Sequence, residues 1–78
     1  MSSRMDYTVF LRPEPEGGFT VLVPALPEIV SFGEDEGEAM EMAREAIELA
    51  LEVRRDYGEP IPADIVPLVR HVSVPQAA

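Results

Sequence analysis

The stretch from Asp35 to Tyr57 has the residue spacing of an amphipathic helix, and it limits the possible folds more than any other part of the chain. Its apolar residues fall on one side of a helical wheel and its charged residues on the other. The apolar side holds Ala39, Met40, Ala43, Ala46, Ile47, Ala50, Leu51, Val53 and Tyr57. Asp35 and Glu38 have the spacing of a capping box, and Gly58 predicts the end of the helix. We therefore predict one long helix whose alanines let it lie close to a sheet.

Four other segments are rich in β-branched and aromatic residues and are bounded by proline or glycine, which predicts strands. They cover residues 7–12, 19–23, 29–32 and 68–74. Short connections predict that the first three form an antiparallel meander. The handedness rule for crossovers then places the fourth strand beside the first and parallel to it. We therefore expect an α+β domain of order β-β-β-α-β, with a four-stranded mixed sheet (3-2-1-4) and the helix on one face.

The chain has 78 residues, which predicts a single domain spanning residues 1–78 with a core at about residues 6–74. It contains no cysteine, so it has neither disulfides nor thiolate metal ligands. The absence of a long apolar run and of a signal-peptide pattern predicts a cytoplasmic location. The absence of lysine, asparagine and cysteine, together with 8 prolines, would suit a thermophilic source with GC-rich DNA.

Acidic residues outnumber basic ones by 15 to 6, which gives a net charge of -9. Such a field repels DNA and RNA, so we expect no direct binding of nucleic acid. A basic protein partner is compatible with this charge, and so is a purely solubilising role.

A row of glutamates follows the charged side of the predicted helix: Glu41, Glu45, Glu48 and Glu52. Metal sites need ligands that converge from several elements, whereas this row lies along one helix. We therefore predict no metal site and regard the row as the candidate partner interface. Its like-charged pairs at i,i+4 repel each other, which a positive partner would relieve.

No set of residues in the sequence predicts catalysis. His71 is the single histidine, and it has no cysteine or second histidine with which to form a site. The pair Gly17-Gly18 does not lead from a strand into a helix, so it is not a phosphate-binding loop. We therefore predict a protein that is not an enzyme and uses no cofactor.

The predicted sheet has one face without a helix, and that face carries Phe10 and Leu22. Monomers seldom expose a large apolar patch, and small domains often gain stability by oligomerising. We therefore expect a homodimer or higher oligomer, with Phe10 and Leu22 as the candidate oligomer interface.

Several short motifs occur together in a characteristic order. They are Tyr7-Thr8-Val9, Gly17-Gly18-Phe19, Val23-Pro24-Ala25-Leu26-Pro27, Gly33, the alanines Ala39, Ala43 and Ala46, and Gly58-Glu59-Pro60-Ile61-Pro62. In this order the sequence resembles the HicB family of type II antitoxins over about residues 6–62. It departs from the family pattern at Glu28-Ile29, and its helix cap is Asp35 rather than serine or threonine.

The resemblance implies a partial RNase H-like fold and an antitoxin function. HicB-like proteins bind and block a small basic toxin, HicA, which is a ribonuclease that cleaves mRNA. Full-length members also carry a C-terminal DNA-binding module, and we expect the present sequence to be a stand-alone domain without one. The alternative is an orphan oligomeric domain that binds another protein or a small ligand. A vestigial nuclease is disfavoured because the predicted strands lack an acidic cluster.

Overall fold

The protein is described by a computed structural model that covers residues 4–77. Its elements are β1 (Phe10–Pro13), β2 (Phe19–Leu22), β3 (Val30–Gly33) and α1 (Glu36–Asp56). The strands form an antiparallel sheet of order β1-β2-β3, and α1 packs on β2 and β3. Within these described residues the fold is therefore β-β-β-α.

The prediction of a fourth strand is wrong. Residues 68–74 pair with no strand in the part of the chain that the structure describes, and Leu68 and Val72 are 80% and 87% exposed. The predictions that depend on this strand are therefore also wrong: a mixed sheet, the strand order 3-2-1-4 and a partial RNase H-like fold. The physical reason is that α1 lies over β2 and β3, so no covered position remains beside β1 in which another strand could bury an apolar side. Strand propensity without such a position does not make a strand.

The core lies between α1 and the face of the sheet that is turned toward α1. Val21 and Leu26 are fully buried there. Two adjoining clusters of buried residues make up this core: Val23, Leu26, Ile29 and Leu51 in one, and Val21, Ala39 and Ala43 in the other. Each buried aliphatic side chain contributes about 1.5–3 kcal/mol relative to an exposed one, so these few residues dominate the stability of the domain.

The helix approaches the sheet most closely where Gly33 meets Ala39. A Cβ atom built on Gly33 would lie 2.3 Å from the backbone nitrogen of Ala39 and 2.8 Å from its Cβ. Ala39 itself is completely buried. The predicted use of alanine for close packing of the helix on a sheet is therefore confirmed here.

The predicted ends of the helix are confirmed. Asp35 is the N-cap, and its side chain accepts a hydrogen bond from the amide of Glu38 at 2.8 Å. The carboxylate of Glu38 reaches back to the amide of Glu34, also at 2.8 Å. Gly58 follows the last turn with a φ of 68°, the left-handed conformation that ends many helices. Three residues of the predicted apolar side nevertheless remain exposed: Met40, Val53 and Tyr57.

Beyond the helix, residues 59–64 return along the start of the first predicted strand. The hydroxyl of Tyr7 donates to the carbonyl of Pro62 at 2.5 Å, and Ile61 packs against the core. Residues 65–77 are all exposed, and beyond Pro67 and Val69, which line a cavity with Phe10 and Leu22, they extend away from the domain. The radius of gyration is accordingly 15.6 Å, whereas a compact chain of this length would have about 11.5 Å.

Candidate functional site

A surface groove runs along the border between α1 and β3. It consists of two adjoining cavities of ≈ 490 Å³ and ≈ 360 Å³, which share Ser31, Ala46 and Leu49. Because β3 is an edge of the sheet within the described residues, its outer backbone groups also face this groove. We call this feature the α1–β3 groove.

Three of the four predicted interface glutamates line the groove. Glu45, Glu48 and Glu52 stand along its helical side, while Glu41 lies beyond its end. Their spacing along α1 puts them on one exposed face, where the structure leaves all of them in contact with solvent. The structure thus brings an acidic row next to a sheet edge.

Arg44 divides this row into paired and unpaired glutamates. Its guanidinium contacts Glu41 at 2.7 Å and Glu48 at 2.9 Å. The hydrogen bond from Arg44 lowers the pKa of Glu41, and the same bond raises the pKa of Arg44. Among residues 4–77, Glu45 and Glu52 make no ion pair. On the helical side of the groove, the uncompensated negative charge is therefore concentrated at these two positions.

The groove also has an apolar part that the sequence analysis missed. Leu49 is 62% exposed between Glu45 and Glu52, and Met42 is exposed two turns earlier. Leucine on an otherwise charged helix face was the signal that could have identified this position. The combination of an apolar centre with an acidic rim is typical of a protein-binding surface.

An ion pair closes one end of the α1–β3 groove. Arg54 holds Glu28 by two hydrogen bonds, of 3.1 Å from Nε and 3.0 Å from its terminal nitrogen. The hydrogen bonds from Arg54 lower the pKa of Glu28. This pair joins the helix to the loop before β3, so it fixes the position of α1 relative to that loop at this end of the groove.

A second apolar surface lies on the sheet face opposite the helix. The register places Phe10 directly across from Leu22 and Leu22 directly across from Val30, so the three side chains form a continuous row. Phe10 is 43% exposed and Val30 is 71% exposed. Phe32 lies on the same face and is also exposed. We call this surface the second sheet face.

The remaining candidate groups are not brought together. His71 is exposed in the segment after the domain. Within residues 4–77, no three histidine, cysteine, aspartate or glutamate side chains are grouped as metal ligands would be. No helix of the described chain is long and apolar enough to span a membrane. The α1–β3 groove and the second sheet face are therefore the surfaces on which a function can be built.

Comparison with known proteins gives the same family over most of the chain. The family described as HicB_like antitoxin of bacterial toxin-antitoxin system matches residues 7–76. Antitoxin HicB 1 of Photorhabdus laumondii and Antitoxin HicB of Escherichia coli K12 are each 41% identical over 58 residues, or 74% of this chain. The chain spans only 37% and 42% of the lengths of those two proteins. The UPF0150 protein Ta0767 of Thermoplasma acidophilum is 37% identical over 60 residues, which is 77% of this chain and 87% of that protein.

Proposed function

This chain belongs to the HicB-like antitoxin family of bacterial toxin–antitoxin systems, and from that premise we propose that it binds and neutralises a small basic toxin of the HicA type. The observation that carries the proposal is the α1–β3 groove, with its apolar centre and its acidic rim. A basic toxin would supply the positive charge that Glu45 and Glu52 lack among the described residues. Neutralisation by binding needs no catalytic group, so the proposed function does not require the chain to be an enzyme.

Electrostatics would mainly direct and accelerate the encounter with the toxin. The net charge of -9 attracts a basic protein over distances of about a Debye length, roughly 10 Å at 0.1 M salt. Burial of the apolar centre at Leu49 would then remove apolar surface from water and stabilise the bound complex. This division of roles is typical of interfaces in which charge steers binding and buried apolar groups hold the complex.

We also propose that this stretch of chain does not itself bind nucleic acid. Its charge opposes the approach of a phosphate backbone, and three of the six arginines, Arg12, Arg44 and Arg54, each pair with a glutamate. An antitoxin that blocks an mRNA-cleaving toxin would act where mRNA is translated, which supports a cytoplasmic location.

Self-association is a further part of the proposal. The second sheet face exposes Phe10 and Val30 beside Leu22, and a second copy of the chain would cover this row. The two surfaces meet at Val30, but Glu45, Glu48 and Glu52 line only the α1–β3 groove. A dimer formed through Phe10 and Leu22 would therefore leave these glutamates free for a toxin.

The test is a charge reversal in the groove with a matched control. Glu45→Arg/Glu52→Arg should weaken binding of a HicA-type toxin by at least about a hundredfold in calorimetry, because two attractive positions become repulsive. Glu16→Arg/Glu34→Arg makes the same change in net charge at exposed positions outside the groove, and should weaken binding by much less. Equal effects of both pairs would assign the attraction to net charge and move the interface elsewhere.

A further inference from the structure

The segment after the domain carries apolar side chains that no described residue covers. Residues 65–74, here called the C-terminal segment, begin directly after Asp64. Val66, Leu68, Val72 and Val74 are each at least 75% exposed. In an extended chain, residues two apart lie on the same side, so these four share one side of the segment. Arg70 stands between Leu68 and Val72 on the same side, so the apolar side has one charged position at its centre. Four exposed apolar side chains beside it still indicate a surface that is covered when the protein is in its functional form.

Prolines favour an extended segment, and its base, at Pro67 and Val69, lies against its own domain. Pro60, Pro62 and Pro67 hold their own backbone, and that of the residue before each, in extended conformations. The ten residues of the segment reach roughly 30 Å when extended, and the molecule is 58 Å long but only 25 Å and 23 Å across. The free part of the segment therefore lies where another molecule can meet it.

The base of the segment already lies beside the second sheet face. Pro67 and Val69 line a cavity of ≈ 460 Å³ together with Phe10, Leu22 and Pro24, and all of its lining residues are apolar. The base thus covers the margin of the face, while the row from Phe10 to Val30 stays exposed. A second segment arriving from the opposite direction would complete this cover.

The charge distribution indicates which kind of partner the C-terminal segment can bind. All 15 acidic residues of the chain lie at or before Asp64, and Arg70 is the single charged residue of the segment. The segment is therefore complementary to an acidic domain, such as that of a second copy of this chain, and not to a basic toxin.

We propose that two copies of the chain exchange their C-terminal segments, so that residues 68–74 of each copy lie across the second sheet face of the other. This rests on the self-association proposed above and names the element that produces it. In a two-fold dimer each copy gives its segment and receives its partner's, so both unpartnered apolar surfaces are covered at once.

The first test compares two pairs of substitutions in the full chain by sedimentation equilibrium. Leu68→Asp/Val72→Asp should raise the dimer dissociation constant by at least about thirtyfold, because it places charge on two contacts at the centre of the interface. Gln76→Asp/Ala77→Asp adds the same charge just beyond the segment and should change the constant by less than about threefold. Both variants should keep the circular dichroism of the parent, since all four positions are exposed in the single chain.

The second test locates the contact directly. In a mixture of isotopically labelled and unlabelled chains, filtered NOEs should connect the methyl groups of Leu68 and Val72 with the ring of Phe10. A dimer that lacks these NOEs and is unaffected by Leu68→Asp/Val72→Asp would overturn the exchange while leaving self-association standing. A chain that sediments as a monomer at millimolar concentration would overturn both. Neither result bears on the binding of a toxin, which calorimetry measures separately.

Discussion

Thr8 and Asp64 are joined by two hydrogen bonds across 56 positions of the sequence. The backbone amide of Thr8 donates to Oδ1 of Asp64 at 2.8 Å, and its hydroxyl donates to Oδ2 at 2.7 Å. These contacts tie the chain that enters β1 to the chain that leaves the domain after α1. They therefore set the point from which the C-terminal segment departs.

The first prediction concerns the pH dependence of this contact. The hydrogen bonds from the amide and then the hydroxyl of Thr8 lower the pKa of Asp64 below its ordinary value of 3.8. A carboxyl group whose pKa is lower in the folded state than in the unfolded state stabilises the fold at pH values above its unfolded-state pKa. This contribution is lost as the pH falls through the folded-state pKa. Denaturant unfolding from pH 6 to pH 2 should therefore show a smaller acid loss of stability in Asp64→Asn than in the parent. Glu14, Glu28 and Glu41 also have lowered pKa values and would supply the loss that remains.

The control for this prediction is Asp56→Asn, which removes one carboxylate that has no hydrogen bond among the described side chains. If Asp64→Asn and Asp56→Asn give the same pH profile, the Thr8 contact does not contribute to stability in solution.

The second prediction contrasts two glycines four positions apart. Gly33→Ala would force a Cβ to within 2.3 Å of the Ala39 backbone, so the helix must move away from the sheet. Overpacking of this kind should lower the free energy of unfolding by about 2 kcal/mol. Gly37→Ala meets nothing closer than 3.5 Å and lies inside α1, so it should be neutral or stabilise by up to about 1 kcal/mol. Chemical denaturation of both variants would show the opposite order if the helix were not in contact with β3.

The third prediction concerns the cap of α1. Asp35→Ala removes the acceptor for the Glu38 amide and should lower the free energy of unfolding by about 1 kcal/mol. Asp35→Ser keeps a capping oxygen and should retain most of that stability. Equal losses in the two variants, measured by urea denaturation, would mean that the cap contributes through its charge rather than through the hydrogen bond.

The fourth prediction separates a binding residue from a core residue on the same helix. Leu49 is 62% exposed in the α1–β3 groove, whereas Leu51 is 8% exposed in the core. Leu51→Ala should destabilise the protein by about 2–5 kcal/mol. Leu49→Ala should leave stability within about 0.5 kcal/mol of the parent.

Binding should reverse that order. Leu49→Ala should weaken toxin binding by about tenfold or more if Leu49 is the apolar centre of the interface. Leu51→Ala should bind normally at temperatures where it remains folded. A Leu49→Ala variant with unchanged affinity would remove the α1–β3 groove from the proposed interface.

Local chemistry in the sequence was sufficient for the helix and the hairpin. Capping at Asp35, the glycine at position 58 and the apolar spacing between them act over one or two helical turns, so they can be read without knowing the fold. The same holds for the hairpin, where Gly17 and Gly18 take the positive φ values that the turn requires. The order of the motifs also identified the HicB-like family, which the match over residues 7–76 confirms.

Only the tertiary structure decided what each of these elements packs against. Residues 68–74 have the composition of a strand, yet a strand also needs a neighbour and a covered face, and α1 provides neither beside β1. The exposure of Leu49 likewise depends on the position of β3 relative to α1, and a helical wheel carries no information about that position. The sequence by itself determined the helix, its ends and the hairpin, because those depend on interactions between near neighbours. The structure decided which apolar surfaces remain open, because that depends on contacts between residues far apart in the chain.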